Sequence, residues 1–340
     1  METQRLNGNY NSDIVIAGTI LRQGGLVAIP TETVYGLAGD ATNEAAVQKI
    51  FLSKGRPQDN PLIVHISSYE QLNQLTSELS IKAKQLADAF WPGPLTMILP
   101  KSKLISDRVS AGLSTVALRF PSHSVAIEII KSAGVPLAAP SANISGSPSP
   151  TTAAHVLHDL DGKIDAVVDG GACTIGLEST VVNLTTEIPT LLRPGHVTLE
   201  QLKSVLGDVN VVDAVLHQSD SNAPVFSPGM KYKHYAPKAK MVLLEGSYKA
   251  FQTYVNAHAG EGVAALCYTG EEKGLHVPVI TYGAQYCQEE QARVLFGALR
   301  KLDEMNCQVI YARCPNANGV GLAIYNRMIR AAGFEVRTLD

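Results

Sequence analysis

Charge is scarce in this chain: Lys, Arg, Asp and Glu make up 17% of its 340 residues, and the formal net charge is −3. That balance excludes a broad basic footprint for duplex nucleic acid or an anionic membrane, while leaving room for a local cationic site. Cysteine is scarcer still: five residues, an odd number without a C-x-x-C pair, which excludes a disulfide framework and zinc knuckles and fits a reducing compartment. Long apolar runs are missing as well. Stretches such as "PLAAPSA" and "MVLL" fall far short of the roughly 20 residues that a bilayer span needs. The polar start "METQRLNGNYNSD" lacks the apolar centre of a signal peptide, so the expectation is a soluble, cytoplasmic protein. Two phosphate-binding signatures are also absent, the G-x-x-x-x-G-K-[ST] loop and a G-x-G-x-x-G after the first strand. Any nucleotide site here must be built another way.

What is present is a repeated alternation of apolar strands and amphipathic helices. "NSDIVIAGTILRQGG" reads as a helix capped by Asn11 or Ser12 and stopped at Gly24 and Gly25. The strand "LVAIP" follows, then helix "NEAAVQKIFLSKG", strand "PLIVHI", and further elements to "IDAVVDGG", "TVVNLT", "TLLRPG" and the helix "TLEQLKSVLG". This pattern predicts an α/β fold whose first domain spans residues 1–210. From Val211 the periodicity fails. Residues 211–238 read as a long connection, a kind of segment that often carries function. A second alternation from "KMVLLEG" to "GLAIYNRMIRAAG" predicts a smaller α/β domain over 239–340.

Three polar clusters interrupt the apolar pattern. In "KGRPQDNPLIVHI", Lys54 ends a helix, Gly55 turns the chain, and Arg56 and Asn60 lead into a strand. Two cations at a tight junction suit an anion, although a lysine at a helix carboxyl end beside a solvated arginine is the commoner explanation of such a pair. Strand alternation places His65 with Ile63 on one face. "PTETVYGLAGDA", Pro30 to Ala41, offers many hydrogen-bonding groups with little bulk, and reads equally well as an ordinary strand-to-helix loop. "APSANISGSPSPTTAAHV" sets Ser141, Ser145, Ser147 and Ser149 before a helix start at Thr151 or Thr152, an arrangement suited to phosphate. Arg119 lies within the apolar strand "STVALRFP" on the face of Thr115 and Ala117. A cation there needs an anionic partner, either an internal carboxylate or a ligand's; the sequence leaves both open. "GLESTVV", with Glu178 and Ser179, and "LLRPG", with Arg193, are further candidate contacts. His155, His158, Asp159 and Asp161 have the spacing of a metal site but sit on a polar helix face, where solvation is the simpler explanation.

Taken in order, "PTETVYGLAGDA", "KGRPQDNPLIVHI", "WPGPLTMIL", "VALRFP", "APSANISG", "GLESTVV", "LLRPG" and "SPGMKYKHYAP" resemble the threonylcarbamoyl-AMP synthase family in its two-domain form. "GVGLAIYNRMIRAAG" extends the likeness to the second domain. The resemblance implies an N-terminal YrdC-like open, twisted, mixed sheet with flanking helices, joined by the long linker to a smaller Rossmann-like α/β domain. It also implies a nucleotidyltransferase that forms threonylcarbamoyl-adenylate and pyrophosphate from L-threonine, bicarbonate and ATP. The product would serve tRNA modification next to the anticodon through a separate threonylcarbamoyl transferase, with no tight binding of tRNA to this chain.

Carried over residue by residue, the resemblance assigns Lys54 and Arg56 to bicarbonate and the phosphates. It assigns Arg56, Asn60, Thr115, Ser141, Ser149, Arg193 and Tyr235 to ATP, and Thr33, His65, Arg119, the backbone at Ala139 and Ser179 to threonine. Mg2+ is expected on the phosphates, with its ligands unassigned. The linker motif, with Lys231, His234 and Tyr235, is expected to close over the nucleotide. Two rivals remain at this stage. A carbamoyl-adenylate-handling carbamoyltransferase would carry zinc-finger C-x-x-C pairs, which are missing; a non-catalytic RNA-binding module would show steep salt dependence.

Overall fold

The computed structural model describes residues 2–217 and 235–340. In chain order its first part comprises β1 (Gln4–Asn7), α1 (Asn11–Arg22), β2 (Val27–Ile29), β3 (Gly36–Asp40), α2 (Glu44–Lys54), β4 (Ile63–His65), α3 (Tyr69–Leu75), α4 (Ile81–Phe90), β5 (Leu95–Pro100) and α5 (Asp107–Ser110). It continues through β6 (Thr115–Arg119), α6 (Ser124–Ala133), β7 (Leu137–Ala138), α7 (Ala153–Leu160), β8 (Ala166–Asp169), β9 (Thr180–Asn183), β10 (Thr190–Arg193), α8 (Leu199–Leu206) and β11 (Asn210–Val211).

These strands form one mixed sheet in the order β1-β8-β2-β3-β7-β4-β6-β5-β9-β10-β11. Helices flank it because its apolar faces need cover. Leu37, Ile50, Phe51, Val64, Leu118 and Leu86 share one core, and Leu21, Val27, Ile29, Ile129 and Val168 share another. Three boundaries differ from the sequence expectation. The polar N-terminal stretch contains β1, parallel to β8. The segment read as a strand-to-helix loop contains β3, antiparallel to β2. The first helix has Tyr10, not Asn11 or Ser12, at its cap position and no side-chain cap, while Asp13 in its first turn accepts the Asn7 N–H at 2.8 Å.

The second part comprises β12 (Lys240–Glu245), α9 (Tyr248–Ala257), β13 (Val263–Cys267), β14 (Val279–Thr281), α10 (Gln288–Glu304), β15 (Val309–Arg313), α11 (Gly321–Ala331) and β16 (Val336–Thr338). Its sheet runs β14-β13-β15-β12-β16, and every pair is parallel. With helices covering it, this is the Rossmann-like layer arrangement expected.

The two parts share a hydrophobic cluster in which Val34 and Leu177 from the first pack with Leu295, Phe296 and Leu299 of α10. Gly176 lies at this contact: its φ is +82, and a Cβ there would lie 2.5 Å from the Arg293 Cα, which restricts the position to glycine. Around this apolar contact, buried arginines of the second part reach the first. Arg300 pairs with both oxygens of Asp159 at 3.0 and 2.8 Å, so the acid considered for a metal site is a domain-interface partner instead. Asn326 and Arg330 donate to the carbonyls of Val215 and Ala214 at 2.7 and 2.5 Å. No helix among the described residues is long and apolar enough to cross a membrane.

Candidate active site

The loop after β2 and the loop after β7 are zipped together by backbone bonds. Tyr35 N–H donates to Pro150 O at 2.9 Å, Leu37 N–H to Pro140 O at 2.7 Å and Ala142 N–H to Tyr35 O at 2.8 Å. Gly36 permits the approach, since a Cβ there would stand 3.2 Å from the Ala139 Cβ. The cavity between these loops and β4, β6 and β10 is lined by Thr33, Arg56, His65, Arg119, Ala139, Ser141, Ser149, Ser179, Arg193 and Tyr235, with Ile63, Asn143 and Glu178. Three guanidinium groups from separate elements therefore meet one hollow with a row of hydroxyls.

Arg119, 4% exposed, resolves the alternative left by the sequence. Its partner here is internal: Glu32, at 2.7 Å and equally buried. Neither Glu32 oxygen has a well-directed hydrogen bond among the described residues. Burial pushes the Glu32 carboxyl up, and the Arg119 charge, the Arg119 hydrogen bond and the backbone N–H groups of Glu32 and Ser122 together outweigh this, leaving it below its ordinary value. Arg119 also donates to the Thr33 hydroxyl at 2.8 Å. Thr31 accepts the backbone N–H groups of Thr33 and Val34 on its own hydroxyl oxygen, a local turn that fixes Thr33 in place.

His65 sits on the cavity face of β4, as alternation requires. Burial and then the Arg119 charge push its imidazole down to about 3, so it is neutral at pH 7. Its Nδ1 has no hydrogen-bond partner among the described residues. A neutral ring with a spare nitrogen suits a substrate hydroxyl rather than an anion.

Ser179 lines the same hollow. Its hydroxyl shares a hydrogen bond with Thr96 at 2.7 Å and accepts from Arg193 Nη2 at 3.1 Å, while Arg193 Nε donates to the Ser179 carbonyl at 3.0 Å. Burial lowers the Arg193 guanidinium to about 10, still cationic at neutral pH. Ser149 donates a short hydrogen bond to Glu178 Oε1. Tyr235 closes this end, stacked on Phe296 with ring centroids 5.3 Å apart, and the Ala236 N–H reaches the Gly146 carbonyl at 3.1 Å. The rest of the expected closing motif, including Lys231 and His234, lies outside the described residues.

Three sequence candidates are not part of the lining. Lys54 is 3% exposed and turns beneath the loop after β7, donating through Nζ to the carbonyls of Ser141 and of Asn143, the latter at 2.8 Å. Burial and then the neighbouring Arg56 charge push its ammonium well below the ordinary lysine value. Gly55, in the left-handed region at φ 60, ends α2 and lets the chain turn so that Arg56, not Lys54, faces the hollow. Asn60 is buried nearby with both amide atoms unpartnered among the described residues. Thr115 starts β6 on the face of Ala117 and Arg119, four residues or roughly 13 Å from Arg119 along the strand.

Two residues carried no assigned role. Glu32 had a signal, since a buried strand arginine demands an anion. Arg327 of α11 was missed entirely: it is fully buried and pairs with Glu178 Oε2 at 2.8 Å. Its signal is an arginine inside the apolar run "LAIYNRMIRAA".

A family model described as telomere recombination matches residues 19–195, and a second, described as the C-terminal domain of threonylcarbamoyl-AMP synthase, matches residues 197–333. A threonylcarbamoyl-AMP synthase of Bacillus subtilis is 48% identical, covering 98% of this chain and 96% of its own. One of Pyrococcus abyssi is 46% identical, covering 95% of each chain. The crystal structure of the P. abyssi protein complexed with L-threonine superposes with a TM-score of 0.93 over 100% of both chains, at 42% identity. The chain belongs to the two-domain threonylcarbamoyl-AMP synthase family.

Proposed function

We propose that this chain joins L-threonine, bicarbonate and ATP into threonylcarbamoyl-adenylate and pyrophosphate within the cavity between the loops after β2 and β7. The convergence of Arg56, Arg119 and Arg193 with neutral His65 and the hydroxyls on one hollow carries the reading. At one end, Arg119 exchanges Glu32 for the substrate carboxylate, a bidentate match for its guanidinium fork, while His65 and Thr33 read the threonine hydroxyl. Ile63, Val34 and Ala139 offer apolar surface to the substrate methyl group.

At the other end, Arg56 and Arg193 meet the bicarbonate and the phosphates, with Ser141, Ser149 and Tyr235 beside them and Asn60 and Thr115 along the nucleotide path. Lys54 acts from beneath, holding the Ser141–Asn143 carbonyls so that the hydroxyl loop keeps its shape. The neutral threonine amine forms a C–N bond with the bicarbonate carbon and water leaves, giving a carbamate. A carbamate oxygen then attacks the α-phosphorus, the bond to the β-phosphate oxygen breaks and pyrophosphate departs. Cations fixed where negative charge accumulates lower that barrier.

The donor set does not fit a resident metal. Among the described residues no three His, Cys, Asp or Glu side chains cluster, and Glu178 in the cavity lining and Glu32 behind Arg119 are both held by arginines. Mg2+ accordingly enters this reading only with the triphosphate, as part of the substrate. The product passes, in the cytoplasm, to a separate tRNA threonylcarbamoyl transferase, and this chain needs no tight grip on tRNA. The division into a catalytic domain (1–210), a linker (211–238) and a C-terminal domain (239–340) belongs to the same reading. It is tested by pyrophosphate release from purified chain with each substrate omitted in turn; release that ignores threonine or bicarbonate would sink it.

A further inference from the structure

The C-terminal domain sends one side chain to the edge of the cavity. Arg327 is 0% exposed, and three of its hydrogen bonds cross to the wall that carries Glu178. Nε pairs with Glu178 Oε2 at 2.8 Å, Nη2 donates to the Glu178 carbonyl at 3.3 Å and Nη1 donates to the Pro194 carbonyl at 2.9 Å. Nη1 also donates to Asn326 Oδ1 at 2.9 Å, which ties it to its own helix. Its Cζ lies 5.7 Å from the centroid of the Tyr235 ring.

A structural bolt between domains needs none of this precision, and Arg300 with Asp159 already supplies one. What distinguishes Arg327 is the residue it holds. Glu178 lines the cavity beside Arg193, and its Oε1 accepts the Ser149 hydroxyl. A buried carboxylate next to Arg193 would cancel that cation's attraction for an anion unless another cation took up its charge.

We propose that Arg327 is a positioning residue for the anion end of the cavity: it takes up the charge of Glu178, so that Arg193 keeps its field for the triphosphate and Ser149 keeps its orientation. This rests on the assignment of that end to ATP. Among the described residues, the groups facing Glu178 are Arg327 from α11, Arg193 from β10, the Ser149 hydroxyl and Tyr235, with Lys54 acting at longer range. Burial pushes the Glu178 carboxyl up, and Arg327 first and Arg193 second bring it below its ordinary value. Without Arg327 the burial effect regains ground and Glu178 holds a proton to higher pH. At low pH the neutral acid then spares Arg193; at high pH the carboxylate neutralises it.

The test uses the full chain and four variants: Arg327→Met, Arg327→Lys, Glu178→Gln and Arg327→Met/Glu178→Gln. Binding of ATP and of inorganic tripolyphosphate is measured by titration calorimetry from pH 6 to 9, beside threonine binding. Arg327→Met should weaken both polyphosphates by at least about tenfold at pH 8.5, with less loss at pH 6, while threonine binding changes less than about twofold. Lysine should restore part of the affinity. Glu178→Gln and the double variant should bind ATP equally, because with no charge on residue 178 the arginine has nothing to neutralise. That comparison also decides the matter if Arg327→Met alone does not fold.

Unchanged polyphosphate affinity in folded Arg327→Met, equal losses for threonine and ATP, or a double variant much weaker than Glu178→Gln would each overturn the inference. If wild type bound tripolyphosphate but not ATP, and Arg327 still governed the former, the nucleotide assignment alone would fail. If wild type bound neither, both would fall.

Discussion

Replacing Arg119 by methionine strands a carboxylate. Glu32 would remain, 6% exposed at its side chain and with its ion-pair partner gone, and breaking a buried pair from one side costs about 3–5 kcal/mol. Methionine restores part of the packing, so the lower end of that range is the better expectation, close to a 10 °C fall in midpoint at roughly 2–4 °C per kcal/mol. The sign of the pH response should also invert. In the wild type the Glu32 carboxyl lies below its ordinary value, so its contribution is fully present above the unfolded-state value of roughly 4.3 and is lost as pH falls through the folded one. In Arg119→Met burial is opposed only by the backbone N–H groups of Glu32 and Ser122, and the carboxyl rises. Stability should then be greatest in acid and decline as pH rises through the raised value. Denaturant unfolding at pH 5 and pH 8 reads this directly, and Glu32→Gln in the same chain should recover most of the stability and flatten the pH response. Threonine-dependent pyrophosphate release should remain depressed by at least about a hundredfold in the double variant, because the carboxylate fork is still missing. Wild-type stability in Arg119→Met, or no rescue by Glu32→Gln, would refute the argument that this pair is what keeps the charge tolerable.

Other outcomes follow from the same geometry. Because the His65 imidazole is held down to about 3, its ring proton resonances should stay flat from pH 5 to 9 in the free protein; a midpoint near 6.5 would contradict its burial. Lys54→Met leaves the buried Asn143 carbonyl without its lysine donor, worth about 1–3 kcal/mol, and leaves the Ser141 carbonyl with the Asn143 N–H, so amide exchange at Ala142 and Ser145 should quicken at least tenfold, and unchanged protection would remove the loop-holding role. A double-mutant cycle on Arg300 and Asp159 should give a coupling of about 3 kcal/mol for a buried bidentate pair, whereas one below about 0.5 kcal/mol would mean that the interface is held by its apolar cluster alone. Serine differs from threonine by one methyl, which an apolar wall discriminates only by about 10–200-fold in kcat/KM, and a much larger ratio would require a contact other than Ile63, Val34 and Ala139.

The strand and helix alternation was readable because each apolar run meets a buried sheet face, and strand period alone put His65 on the side of Ile63. The clusters around Thr33, Arg56, Ser141 and Arg193 were visible as polar interruptions of that pattern. What local pattern does not carry is pairing over distance. Strand β1 is four residues of a polar tail that become a strand only because β8, more than 150 residues later, offers an edge. The glycines of β3 read as turn residues, yet Gly36 and Gly39 are there so that neighbouring chain can come close. Lys54 and Arg56 look equivalent in the sequence, and the left-handed turn at Gly55 sends one beneath the loop and the other toward the cavity. The choice between an internal and a ligand partner for Arg119 needed the position of Glu32. Arg327 is harder still, since its partner belongs to the other domain.

The proposed chemistry requires one sheltered hollow to bring an amino acid, a one-carbon anion and a triphosphate together. The most direct measurement is labelled-bicarbonate incorporation by the purified full chain, with ATP and each amino acid in turn, followed together with pyrophosphate. The account predicts an adenylate that carries the label, formed one-to-one with pyrophosphate, only when threonine is present, and lost on Arg193→Met. Pyrophosphate without label in the adenylate, or labelled product that forms as readily with unrelated amino acids, would contradict it.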